Sequence, residues 1–283
     1  MAHTLVTLWT EVRRRLEAAG VDSPVIDARL LIEAGAGVSR LEIVTDPRRA
    51  LSDEQVAAVK ALAQRREARE PIGHILGKKA FWTFDLAVSR DVLTPRPETE
   101  LVVEAALALM PKGEARTVLD LGVGSGAILL ALLSERPAAR GVGVDRSVEA
   151  LALARANAQR LGLEQRAELR RGDWAEGLAE RFDVVVSNPP YIVSADIAAL
   201  EPEVARFEPL LALDGGPDGL DAYRAILAGL EPVLAPGGAF VFEVGSGQAE
   251  AVRALAAAHG FVAEPALVDL AGIPRVVRGR RAA

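Results

Sequence analysis

The residues with the clearest chemical promise are Asp120-Leu121-Gly122-Val123-Gly124-Ser125-Gly126, Asp145, Gly172-Asp173-Trp174 and Asn188-Pro189-Pro190-Tyr191. Gly122, Gly124 and Gly126 strip the Cβ atoms from a turn, so a ligand can approach bare backbone N–H groups at a helix start. A tight strand-to-helix turn also needs glycine for itself, so the loop alone is a weak signal. Asp145 follows about 20 residues later, where a carboxylate can accept from both hydroxyls of a ribose. Its other reading is a charge favoured at a helix N-terminus. Together, loop and carboxylate predict an adenine nucleoside lying across Asp120, Gly122, Gly124, Ser125 and Gly126. The spacing is G-x-G-x-G, not the G-x-G-x-x-G of dinucleotide sites, and the chain has no G-x-x-x-x-G-K-[S/T] loop. A nucleoside cofactor without a pyrophosphate, S-adenosylmethionine, fits that spacing better. Asp173 is placed to accept from the adenine amino group. Trp174 either covers a face of that ring or packs in the core.

Asn188-Pro189-Pro190-Tyr191 calls for a different chemistry. Two prolines give up two backbone donors and fix φ twice. The result is a rigid turn of acceptors, the Asn188 amide oxygen and the Pro189 carbonyl, suited to the two hydrogens of a planar –NH2 group. Tyr191 adds an aromatic wall for a planar amide or a positive sulfonium. An amide nitrogen is a poor nucleophile because its lone pair is delocalised. Asn188, Pro189 and Tyr191 are therefore expected to act by orientation and electrostatics. Asn188 also faces the cofactor, and Pro190 completes the substrate-holding turn. No strong general base is visible.

The rest of the chain must position these groups. It has 283 residues, half of them hydrophobic and a quarter charged, which is a folded globular composition. There is no cysteine and there are only three scattered histidines, so disulfides, thiolate nucleophiles and His- or Cys-ligated metals are not expected. The net charge of −6 argues against broad binding to nucleic-acid phosphates. No run approaches the roughly 18 apolar residues of a membrane span, and the start lacks a signal-peptide pattern. The expectation is a soluble, monomeric, cytoplasmic protein.

Residues 1–70 read as a small helical bundle. Leu5, Leu8, Trp9, Val12 and Leu16 share a helical face. Pro24 opens a second helix with Ile26, Leu30 and Leu31 on one face, interrupted at Gly35 and Gly37. Ser39 caps a short turn. Ser52 and Gln55 form a capping box for a third long helix that carries Val56, Val59 and Leu62 inward and ends at Pro71. Its Arg65, Arg66 and Arg69 read as a solvated face. Residues 71–92 read as a β-hairpin linker, with strands Ile72–Leu76 and Phe81–Val88, and His74 there reads as structural. From residue 93 onward a helix follows Pro97. Strand-like runs at 117–121, 141–144, 167–170, 182–187, 239–244 and 275–278 then alternate with helix-like runs. That alternation predicts an α/β fold, a mostly parallel sheet with helices on both faces, with ligands at the strands' carboxyl ends.

Through Asp120–Gly126, Asp145 and Asn188–Tyr191 the sequence resembles the class I S-adenosylmethionine-dependent methyltransferases, with their Rossmann-like sheet. More narrowly, it is similar to the bacterial protein-(glutamine-N5) methyltransferases of peptide-chain release factors, the PrmC or HemK family. The further matches are Glu70-Pro71-Ile72, Ile75-Leu76-Gly77, Thr94-Pro95-Arg96-Pro97-Glu98-Thr99-Glu100, Ser187 to Ile192, Gly215 to Leu220 and Pro236-Gly237-Gly238. The likeness spans essentially the whole chain, and P-R-P-E-T-E is its most specific part. It implies methylation of the glutamine in the Gly-Gly-Gln tripeptide of release factors. It also implies a cofactor site of the glycine loop, Asp145, Trp174 and Asn188, and N-terminal helices that help recognise the release factor. Val123 stands where the family usually has Thr; a hydroxyl contact is lost there, so Val123 is placed outside the site. Glutamine methylation of a ribosomal protein shares N-P-P-Y, but P-R-P-E-T-E favours the release-factor branch. Adenine-N6 methylation of nucleic acid would need a basic groove and a target-reading domain. A non-catalytic nucleotide-binding module has no use for the rigid acceptor turn.

Overall fold

The computed structural model describes residues 3–281. The chain forms two compact units, one running up to Gly77 and including Glu201–Phe207, the other made of Lys78–Leu200 and the chain from Glu208 onward.

The first unit is helical: α1 (Leu5–Ala18), α2 (Pro24–Ala36), α3 (Arg40–Thr45), α4 (Asp53–Glu67) and α5 (Ile72–Leu76). Side chains cap three of them. Thr4 pairs with Thr7, Ser39 with Glu42 and Ser52 with Gln55, each satisfying N–H groups that a helix start leaves open. Leu5, Leu8, Val12 and Leu16 of α1 meet Leu31 and Ile32 of α2 and Val56 and Val59 of α4 in one core. Of the expected inner face of α2, Leu31 is buried, but Ile26 is exposed and Leu30 half-buried; Asp27, Ala28 and Ile32 complete the inward face instead. Gly35 does not interrupt α2. A Cβ there would lie 2.8 Å from the Val59 backbone, so the glycine lets α2 and α4 touch backbone to backbone. The helix ends on Gly37 in the left-handed conformation.

The expected solvated arginine face needs correcting too. Arg65 is exposed and pairs with Glu70, but Arg66 is buried between Asp27 and Glu203, at 2.7 and 2.8 Å. Arg69 grips both oxygens of Glu203, at 2.6 and 2.7 Å. A buried guanidinium is stable only with such partners, and the two arginines hold the Glu203 carboxyl below its usual range although burial pushes it up. Glu203 belongs to Pro202–Phe207, a distant helix of the chain that joins this unit.

The second unit begins with a hairpin, β1 (Lys78–Phe81) and β2 (Phe84–Ala87). The strand expected over Ile72–Leu76 is α5 instead: Ile72, Ile75 and Leu76 recur at helical spacing, and left-handed Gly77 closes the turn. There follow α6 (Glu100–Leu107), β3 (Thr117–Leu121), α7 (Ala127–Glu135), β4 (Arg140–Asp145), α8 (Val148–Arg160), β5 (Ala167–Arg171) and β6 (Phe182–Ser187). After α9 (Pro202–Phe207), which packs in the first unit, come α10 (Asp221–Val233), β7 (Leu234–Glu243), α11 (Ala249–Ala258), β8 (Phe261–Ala263), β9 (Leu267–Val268) and β10 (Pro274–Arg281).

The sheet has the order β5-β4-β3-β6-β7-β10-β8, with β9 on β10. Strands β3 to β7 are parallel, and β10 runs antiparallel to β7 and β8. This is the expected architecture, extended by two short antiparallel strands that no alternation announces. Apolar helices cover both faces: α6, α7 and α8 on one, α10 and α11 on the other. The register aligns the ends that matter. Leu121 lies opposite Val144 and Ser187, and Asp145 opposite Arg171. The chain steps outward from β3 through β4 to β5, then resumes at β6 on the other side of β3. That reversal opens a crevice at the carboxyl ends of the strands. Among the described residues, no helix is long and apolar enough to cross a membrane.

Candidate active site

The loop after β3 needs its glycines. Gly122, Gly124 and Gly126 have φ of 75°, 53° and 86°, where a side chain is strained. The N–H groups of Gly122 and Val123 both donate to the Val144 carbonyl, at 2.9 and 3.0 Å, which seats the loop on β4. Asp145, at the end of β4, accepts from Gly124 N–H through Oδ2 and from Ser147 N–H through Oδ1, both at 2.9 Å. One carboxylate thus fixes the loop and the start of α8. Asp120 lies beneath, fully buried, accepting from Leu129 N–H at 3.2 Å; its Oδ1 has no hydrogen-bond partner. Burial, with the charge of Asp145 adding to it, pushes the Asp120 carboxyl up to about 7, against the Leu129 bond. Trp174 adopts φ 49°, rare for a bulky residue, and its ring lies over the loop beside Gly122. Asp173 turns to Arg146, at 2.7 and 3.0 Å. Val123 packs on Gly143 of β4, where a Cβ would clash with it at 2.7 Å.

At the end of β6, the buried Ser187 hydroxyl donates to the Leu121 carbonyl at 2.6 Å, tying β6 to β3. Asn188 comes next. Its Nδ2 donates to Thr99 Oγ1 at 3.1 Å, and its Oδ1 is buried without a partner. An amide oxygen left in that state is costly unless something donates to it. Tyr191 directs its O–H to Glu243 Oε1 at 3.4 Å, and its carbonyl accepts from Gln248 Nε2 at 2.9 Å. Burial, with Glu243 adding to it, raises the Tyr191 hydroxyl well above its ordinary range.

These ends enclose a cavity of about 810 Å³, within the size range of small-molecule sites. Of the residues expected from the sequence, Gly122, Gly124, Ser125, Asp145, Trp174, Asn188 and Pro190 line it. Asp120, Gly126, Pro189 and Tyr191 stand behind it, and Asp173 faces Arg146 beside it. The walls also include Val123, which was expected outside the site but sits in the loop that lines it, and residues that spacing did not single out: Thr99, Pro95 and Arg96 on one side, Leu210 and Leu211 on another. Buried Glu208 ties the two together, accepting from Thr94 N–H at 3.1 Å and lying 3.5 Å from Arg96. Thr99 and Arg96 sit inside the P-R-P-E-T-E stretch, which was a usable signal. Leu210 and Leu211 sit in an aperiodic run that offers none.

Comparison with known proteins bears on the chemistry. A family model described as the PrmC N-terminal domain matches residues 7–77, and one described as the methyltransferase small domain matches 99–203. A release factor glutamine methyltransferase of Caulobacter vibrioides is 54% identical over 280 residues, covering 99% of this chain and 97% of that one. Another, of Rhodospirillum rubrum, is 50% identical over 269 residues, covering 95% and 82%. The chain belongs to the release factor glutamine methyltransferase family. Among solved structures, a methyltransferase from Pyrococcus furiosus matches with a TM-score of 0.55 at 17% identity, covering 72% of this chain and 92% of that one. At that identity the likeness is one of fold. A release factor glutamine methyltransferase needs a methyl donor, and the methyltransferase family implies S-adenosylmethionine. The residues present fit it: a side-chain-free loop, a carboxylate at the β4 end, an aromatic ring over the loop and an orphaned amide oxygen across the cavity.

Proposed function

We propose that this protein transfers a methyl group from S-adenosylmethionine to the side-chain amide nitrogen, N5, of the glutamine in the Gly-Gly-Gln tripeptide of peptide-chain release factors. The observation that carries this reading is Asn188 Oδ1, a buried acceptor without a donor on a cavity that the glycine loop and Asp145 also line. The cofactor supplies a methyl group on a positively charged sulfur. Gly122, Gly124, Ser125 and Gly126 lend it close backbone, Asp145 the ribose acceptor and Trp174 an aromatic face, with Asp120 buttressing the loop from below. Asp173 is assigned to the adenine amino group; each of its oxygens accepts one bond from Arg146 and keeps a lone pair for a further donor.

Asn188 Oδ1 and the Pro189 carbonyl accept the two hydrogens of the glutamine –NH2, and Pro190 and Tyr191 wall the amide. Held so, the amide nitrogen would be aimed at the methyl group that the bound cofactor would supply, and the proton it gives up on transfer would pass to solvent water. Alignment and electrostatic fit supply the catalysis. The helical region, residues 1–70, serves release-factor recognition; residues 71–92 link it to the methyltransferase region, 93–283. The protein works as a monomer in the cytoplasm, beside its substrate.

Incubation with labelled S-adenosylmethionine and purified release factor, against ribosomal protein and DNA, tests this. Label is expected on the glutamine of the release factor. Label confined to ribosomal protein or DNA overturns the proposal.

A further inference from the structure

Behind Asn188 lies a second layer of buried polar groups. Thr99 Oγ1 accepts from Asn188 Nδ2, so its own proton is free to go to another acceptor. Glu243, at the end of β7, is 2% exposed. Of the groups that favour its charged form, the Thr99 hydroxyl counts most, ahead of Arg275. Its Oε1 faces the Tyr191 hydroxyl at 3.4 Å, and its Oε2 is buried without a partner of ordinary hydrogen-bond geometry.

We propose that Glu243 is a positioning residue for methyl transfer, setting the direction of the hydrogen-bond relay through Thr99 so that Asn188 presents its oxygen to the substrate amide. The inference rests on the glutamine-methylation reading and deepens it. An ionised carboxylate can only accept. It draws the Thr99 proton, Thr99 Oγ1 then accepts from Asn188 Nδ2, and Asn188 Oδ1 is left for the glutamine –NH2. A protonated Glu243 can donate instead. Thr99 then gives its proton to Asn188, the carboxamide turns over, and an N–H meets the N–H of the substrate.

The charges around Glu243 are few. Arg275 on β10 favours ionisation, Glu98 in the turn before α6 opposes it, and the hydroxyls of Tyr191 and Tyr223 lie close. Arg96 acts on Tyr191 from across the site. Burial outweighs them and brings the carboxyl up to about 7. Turnover should therefore rise with pH through that region, as the productive relay replaces the reversed one.

The test is kcat against pH for the full-length wild type, Glu243→Gln, Thr99→Val and Thr99→Ser, with the S-adenosylmethionine Kd and the release-factor KM. Glu243→Gln is expected to lower kcat about a hundredfold, to leave the cofactor Kd unchanged and to lose the limb near pH 7. Thr99→Val should behave alike, and Thr99→Ser should recover most of that loss. Infrared spectra of the cofactor-free protein should show protonated carboxyl absorption from Asp120 and Glu243 that disappears through about pH 7, and Glu243→Gln should lose one of the two contributions while the Asp120 one stays. A purely structural role would lower Tm without moving the pH limb. If Glu243→Gln fails to fold, judged by cofactor binding, the two Thr99 variants decide. Wild-type kcat and pH profile in Glu243→Gln, or full activity in Thr99→Val, overturn the proposal. A wild type that methylates no release factor overturns the functional reading instead.

Discussion

Asn188→Ala removes the acceptor without touching the glycine loop. It should lower kcat about 10²–10³-fold, as the loss of one preorganised polar group does, while the S-adenosylmethionine Kd measured by calorimetry stays within a few-fold. Asp145→Ala should act the other way. Cofactor binding should weaken by about 1.5 kcal/mol or more, roughly tenfold, because the same carboxylate also holds Gly124 in place. An unchanged Kd would remove Asp145 from the cofactor. Asp120 gives a pH signature. Its folded carboxyl titrates near 7 against an ordinary 3.8, so the folded state holds the extra proton. That stability is complete below about pH 4 and is lost as pH rises through 7. Asp120→Asn keeps an acceptor for Leu129 and never ionises. Its Tm relative to wild type should climb by roughly a few degrees between pH 5 and 8, and a constant difference would refute this. At this scale the sequence was informative where function needs unusual residues, as in the glycines, Asp145 and the two prolines. Glu243 was illegible because it closes an apolar run, Phe240-Val241-Phe242, and looks like a strand end meeting water. Arg66 misled for a related reason, since its partners lie 39 and 137 positions away.

Among elements, α2 and α4 show how closely two helices can depend on one hydrogen atom. Gly35→Ala would press a methyl against the Val59 backbone. It should cost the first unit about 1–3 kcal/mol, as overpacking does, read as a lower midpoint in urea. No loss would mean that α2 slides freely on α4. The parallel strands were legible from their alternation with helices. The α5 segment was not, because five residues hold too few apolar positions to separate a period of 3.6 from one of 2. The hairpin turn hid itself by using Trp82 at φ 55°, where glycine or asparagine is the usual sign. Two hydrogen bonds hold it there, Trp82 N–H to Glu100 at 2.8 Å and Trp82 Nε1–H to Glu135 at 2.9 Å.

For the whole molecule, the two units are not two consecutive stretches of chain. The segment Glu201–Phe207 leaves the methyltransferase unit and finishes the helical one. Arg66→Ala should therefore cost about 3–5 kcal/mol, because it strands the buried Asp27 carboxylate and leaves Glu203 to Arg69 alone. Limited proteolysis should then cut within 201–207 faster than in wild type, and an unchanged cutting pattern would show that Arg69 alone suffices. The same feature orders events during synthesis. Chains fold from the N-terminus as they emerge from the ribosome, yet Arg66 must wait for Glu203, 137 positions behind it. The helical unit thus leaves the ribosome unfinished, with Arg66 held by Asp27 alone and Arg69 still without its carboxylate, and is completed only after the glycine loop and the Asn188 turn have been translated.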